Sequence, residues 1–94
     1  MNLDLLNTQC KKATKSAYDD FKHFIDNPLF ELNENIYDIH LNDMKMKAGT
    51  KVYKWYLDNH SYSEAQFRIV NQLKNKYIYI AERYAYSYSK KQMK

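Results

Sequence analysis

Ser61–Lys90 reads SYSEAQFRIVNQLKNKYIYIAERYAYSYSK, a run without glycine or proline. It opens on Ser61-Tyr62-Ser63-Glu64, a capping box. There the Ser61 hydroxyl can accept a free backbone N–H, and the Glu64 carboxylate can reach back to the Ser61 N–H. Behind it, Ile69, Leu73, Tyr77, Ile80 and Tyr84 recur at helical spacing and line one side. On an adjacent flank, Lys76, Tyr79, Arg83, Tyr86 and Lys90 follow at intervals of 3, 4, 3 and 4. The pattern predicts one long helix, about Glu64–Tyr88, with the first row as core and the second as a contact surface.

Towards the N-terminus, Leu3, Leu6, Cys10, Ala13, Ala17, Phe21 and Phe24 form a second helical stripe. Asn2 can cap this helix, and Asp4 suits the positive end of its dipole. Asn27-Pro28 should close it, because a residue before proline is pushed out of the helical region. The segment from Pro28 to Ala48 admits two readings. As a helix, Asn27 caps, Pro28 takes the first position, and Leu29, Leu32, Ile36 and Ile39 or His40 follow in phase. As a hairpin, Leu29–Leu32 and Ile36–Leu41 are strands around Asn33-Glu34-Asn35. Length favours the helix, since a lone two-stranded hairpin is marginal. Gly49 and Thr50 read as a terminator and a cap, with a short helix carrying Val52, Trp55 and Tyr56 to about Asp58.

Ninety-four residues with one Gly and one Pro leave few turn makers for a sandwich or barrel. The fold class expected is all-α. It is a small single-domain bundle (residues 1–94) framed by two long amphipathic helices, about 3–26 and 64–88, with shorter helical or irregular elements between. Phe21, Phe24, Trp55, Ile69, Leu73 and Ile80 are the expected core. The single cysteine excludes an internal disulfide. No apolar run approaches the ~20 residues that span a bilayer, and Met1–Leu6 lacks the regions of a signal peptide. A cytoplasmic protein with no membrane partner is expected, acting in the host cell if phage-encoded.

The formal net charge of +4 hides an asymmetry: residues 1–47 carry −2 and residues 48–94 carry +6. Either the acidic middle packs near the basic end, or the basic half forms a contact surface for an acidic partner. Lys, Asn, Tyr and Ile are abundant while Gly, Pro, Ala and Arg are sparse, the bias of a low-GC genome. Short reading frames of this kind are common in phages and mobile elements.

The residues that could form a catalytic constellation each have a plainer reading. Cys10 lies on the apolar stripe of the first helix, where a thiol behaves as a small hydrophobe with a raised pKa. Asp19, Asp20, His23 and Asp26 offer one Asp-x-x-His without the second copy a di-metal bundle needs. They suit a solvated helix end better. Asp58, His60, Ser61 and Ser63 are the residue types of a hydrolase triad, yet sequence adjacency gives no triad geometry, and turn and cap roles already account for the serines. Thr50–Asn59 with its turn and following helix resembles a helix-turn-helix, but the second helix, at about 25 residues, is longer than a typical recognition helix.

The expectation is therefore a non-enzymatic binding protein with no cofactor, metal or catalytic residue. It would bind and inhibit or modulate a host protein or nucleoprotein complex, as counter-defence proteins of the anti-CRISPR type do. Lys76, Tyr79, Arg83, Tyr86 and Lys90 are the candidate binding residues. The alternative is nucleic-acid binding through the same residues, with Tyr stacking on bases and Lys or Arg neutralising phosphates. A homodimer is a further possibility for a small, tyrosine-rich domain.

Overall fold

The computed structural model describes residues 2–27 and 31–92. Among these residues, three helices of similar length, α1 (Leu3–Ile25), α2 (Glu34–Asn59) and α3 (Glu64–Gln92), make up the fold. They pack side by side into a rod of 46 × 19 × 18 Å. The direction of each helix follows from cross-helix pairs. Phe24 stacks on His40 and Lys51 reaches Ser16, so α1 and α2 are antiparallel. Tyr77 donates to Asn7 and Tyr88 to Asp26, so α1 and α3 run parallel. Asp26 and Glu34 thus lie at the pole where α3 ends in Lys90 and Lys91.

α1 begins as the sequence predicts: the Asn2 side chain accepts the N–H groups of Asp4 (2.9 Å) and Leu5 (3.2 Å). Its stripe from Leu6 to Phe21 is buried, while Leu3 is exposed and Ile25 takes the inward place expected of Phe24, which is half-buried. The helix ends at Asp26, whose N–H bonds to the Lys22 carbonyl.

The middle of the chain departs most from expectation. The hairpin alternative for 28–48 fails: the chain is helical from Glu34 onward. Its cap is Asn33, which accepts the Ile36 N–H at 3.0 Å, in place of Asn27; Pro28 and Leu29 lie outside the described residues. The frame is three long helices in place of two, because Gly49 and Thr50 neither end nor start a helix. Gly49 keeps a negative φ and is buried inside α2. Met44 and Ala48 on one side of it, and Val52 and Tyr56 on the other, continue one buried stripe, and tertiary burial overrides the ~1 kcal/mol helix penalty of a glycine. The helix-turn-helix likeness falls with this, since the helix before the turn is 26 residues long and lies antiparallel to α3.

α3 starts at Glu64 as expected, but its cap is Ser63 in place of Ser61. The Ser63 carbonyl accepts the Phe67 N–H at 2.7 Å, and its hydroxyl stands 3.5 Å from the Gln66 N–H. The preference for Ser63 comes from Tyr56, whose hydroxyl accepts the Ser63 N–H at 3.0 Å and fixes the entry of the chain. α3 then runs to Gln92, beyond the predicted Tyr88.

The core has two clusters. One gathers Phe21, Ile25, Tyr37, Leu41, Met44 and Ile78 with small residues including Ala81 and Ala85. The other gathers Leu6, Cys10, Ala13, Val52, Tyr56 and Val70. Lys74 lies at the waist between them. Its ammonium donates to the Tyr53 hydroxyl at 2.7 Å, which in turn donates to Asn71. This chain of partners lets a lysine occupy an inward position without an unsatisfied charge.

Of the expected core, Phe21 is buried; Phe24, Trp55 and Leu73 are half-buried; Ile69 (43% exposed) and Ile80 (38% exposed) face outward. The inner face of α3 is instead Val70, Ile78, Ala81, Ala85 and Ser89, a row one residue out of register with the predicted one. One residue on a helix is a rotation of about 100°. The predicted core row therefore becomes a flank.

Candidate interaction surface

Two neighbouring surfaces on α3 follow from that rotation. The solvent ridge carries Lys76, Tyr79, Arg83, Tyr86 and Lys90, all exposed and all on one face, as their spacing requires. The row spans about 21 Å at the helical rise. Tyr79 and Tyr86 lean to the α2 side, where Tyr86 meets the Tyr37 ring edge-on at 6.4 Å. The Lys90 ammonium lies 5.8 Å from the Tyr86 ring centre, a cation–π arrangement that holds the ring in place. Arg83 stands between two shallow hollows, one shared with Tyr79 and Tyr86 and the other with Ile80 and Tyr84.

The second surface is the flank facing α1, the row read from sequence as core. Ile69, Leu73, Ile80 and Tyr84 line it from α3, and Leu3 and Tyr18 from α1. Sequence reasoning found this row and gave it the wrong side. The signal that could have placed it was Val70, Ala81 and Ala85, whose small size allows close helix packing.

Lys45–Glu82, Lys47–Asp43, Lys54–Asp58 and Arg68–Glu64 pair within 4 Å. Most of the other described cations, Lys11, Lys15, Lys76 and Arg83 among them, make no ion pair. Exposed cations of this kind, with exposed aromatic and aliphatic side chains between them, are the composition of a protein contact surface.

Most of the remaining reactive side chains have structural partners, although His60 Nδ1 is buried without a hydrogen-bond partner. Cys10 is fully buried, and burial pushes its thiol up to about 11 against the opposing charge of Lys74. Asp58 pairs with Lys54 at 2.7 Å, and the His60 ring is stacked on Tyr56 at 5.5 Å. Asp20 lines a hollow between α1 and α2 with His40, Asp43 and Lys47, while His23 is exposed and Asp26 accepts from Tyr88. Burial holds His40 below the ordinary imidazole value, with Asp43 opposing and Lys47 reinforcing the shift. Among the described residues, no three His, Cys, Asp or Glu side chains are grouped to hold a metal ion. No helix among them is long and apolar enough to cross a membrane.

No protein-family model, curated protein or solved structure matches this chain.

Proposed function

We propose that this chain is a non-enzymatic binding protein that engages a macromolecular partner through the outward side of α3 and thereby blocks or redirects it. The observation that carries the reading is the exposure of Ile69, Tyr79, Ile80, Tyr84 and Tyr86 on one helix, with Lys76, Arg83 and Lys90 among them. A helix of a small bundle gains nothing in stability from apolar side chains left in water, so an exposed row of this size fits a surface covered by something else. A host protein or nucleoprotein complex is the proposed partner, in keeping with the phage-like composition. The sealed thiol of Cys10 supports a role in which that residue does no covalent chemistry.

The test is affinity capture from nuclease-treated lysate of a low-GC bacterium, comparing the chain with its Tyr79→Ala/Arg83→Glu variant. A protein retained by the first and lost with the second supports the reading. Retention of the same proteins by both rejects it.

The alternation of Tyr79 and Tyr86 with Lys76, Arg83 and Lys90 on one ridge also favours a second reading, single-stranded nucleic acid. It predicts an affinity that falls with salt at a log–log slope of about −0.7 per phosphate contact, a slope that Arg83→Glu flattens. Oligonucleotide affinity no better than millimolar at low salt rejects it.

A further inference from the structure

We infer that the groove between α1 and α3 is the docking site for an acidic amphipathic helix of a partner protein. The inference rests on the reading of this chain as a binding protein and names the chemistry of the partner. The floor is apolar where Ile80 and Tyr84 face Tyr18, and mixed at the other end, where Ile69, Leu73 and Leu3 sit beside Asn7 and Gln72. Tyr77 donates to Asn7 across the middle and divides the groove into two hollows, of about 440 and about 380 Å³. From Ile69 to Tyr84 the floor runs about 22 Å, four turns of a partner helix.

Both rims are cationic. Lys11 and Lys15, one turn apart, border the groove from α1. Lys76 borders it from α3, and Arg83 lies in the adjoining hollow on the solvent side of Ile80 and Tyr84. Apart from Asp4 at the Leu3 end, the charged groups along the groove are positive. A largely apolar floor between two cationic rims is the complement of a helix with an apolar stripe flanked by Glu or Asp on both sides. A second copy of this chain fits poorly. A two-fold pairing through this face brings Lys11, Lys15 and Lys76 close to the same cations of its mate. Nucleic acid finds stacking rings at Tyr18 and Tyr84, but Ile69, Leu73 and Ile80, along most of the groove, offer neither a ring nor a donor to a base.

The experiment uses the full chain and two synthetic 18-residue helical peptides with the same Leu/Ile stripe. One carries Glu on both flanks and the other carries Lys there, and binding is read by fluorescence anisotropy. The Glu peptide should bind one to one and saturably, at least tenfold tighter than the Lys peptide. Ile80→Asp should weaken it tenfold or more while circular dichroism shows an intact helical fold. K11E with K15E should abolish the preference between the two peptides, whereas Lys51→Glu, on α2 and away from the groove, should leave it unchanged. Equal affinity of the unaltered chain for both peptides, no saturable binding up to millimolar concentration, or a preference that survives K11E/K15E overturns the inference. So does displacement of the peptide by dT20 or by a dimer of the chain forming in its place. If the peptides fail while capture of a protein through Tyr79 and Arg83 succeeds, the groove is wrong and the broader reading of α3 stands.

Discussion

The Tyr56 hydroxyl accepts the Ser63 backbone N–H at 3.0 Å while its ring, fully buried, fills the core beneath the α2–α3 turn. The hydroxyl oxygen lies 3.3–3.5 Å from the Ser63 and Ser61 carbonyls and the Gln66 side-chain oxygen, the acceptors within reach of its proton. One residue of α2 thus sets where α3 begins, and the angle at which the ridge and groove are presented.

Tyr56→Phe keeps the ring and removes the hydroxyl. The Ser63 N–H loses its acceptor in a part-buried place, so the domain should lose about 1–2 kcal/mol. Chemical denaturation should show a lower midpoint with an unchanged slope, since the surface exposed on unfolding is the same. An unchanged midpoint would mean that water satisfies the turn as well as Tyr56 does.

Gly49→Ala should stabilise the protein by about 1 kcal/mol. The residue is helical, and a Cβ there would meet the Lys74 side chain at 3.6 Å, an ordinary contact. Alanine gains helix propensity and restricts the unfolded chain. For a domain this size the melting temperature should rise by ~4–8 °C. A fall would show that the waist between the two core clusters is tighter than that contact indicates.

Gly49 and Lys74 also show why parts of the fold were hard to read from sequence. The α1 stripe was legible because Leu6, Cys10, Ala13, Ala17 and Phe21 are apolar and in phase, with polar residues elsewhere on the helix. α2 was not, because Ile39, Met46 and Leu57 are exposed and blur its periodicity. On α3, the bulkier residues Ile69, Leu73, Ile80 and Tyr84 outweighed Val70, Ala81 and Ala85. The inner row also contains Lys74, which reads as surface until its bond to Tyr53 is seen. Phe21, Tyr37, Met44 and Tyr56 supply the bulk, so small residues serve α3 at close approach. The ridge from Lys76 to Lys90 kept its predicted outward position, because a residue row with that charge has few buried alternatives.

Acid should destabilise the bundle through His40. Its ring lies 3.4 Å from Phe24, centre to centre, and burial depresses its pKa below the ordinary value of about 6.5. Below that value the unfolded chain binds a proton that the folded chain refuses, so stability rises with pH across this window. It is fully present above pH ~6.5 and is lost as pH falls through the folded pKa. His40→Gln should flatten the dependence of the unfolding midpoint between about pH 5 and pH 7. A wild-type midpoint that is level across that range contradicts the assignment.

At the alkaline end, the Tyr88 hydroxyl donates to Asp26, and that bond, followed by burial, pushes the phenol up to about 12. The contribution is complete below the ordinary tyrosine value of about 10 and is lost as pH rises through the folded value. Ultraviolet titration should therefore show a late-ionising tyrosine, and Asp26→Asn should move that component back towards the rest. A titration curve identical in the two proteins would separate Tyr88 from Asp26.

The rotation of α3 can be tested with two substitutions one residue apart. Val70 is fully buried against Leu6, Cys10 and Tyr56, and an aspartate there would be an unpaired charge in the core. Val70→Asp should cost several kcal/mol, a large part of the stability of a small domain, and much of the population should unfold. Ile69 is 43% exposed, and an aspartate there reaches water, so Ile69→Asp should change stability by less than ~1 kcal/mol. The two effects separate fold from function, because Ile69 stands on the groove floor and Val70 does not. Ile69→Asp should yield a folded protein that binds the acidic helical peptide at least tenfold less well. If Ile69→Asp unfolds the chain and Val70→Asp does not, the inner and outer rows of α3 are exchanged. The groove and the ridge would then both have to be redrawn.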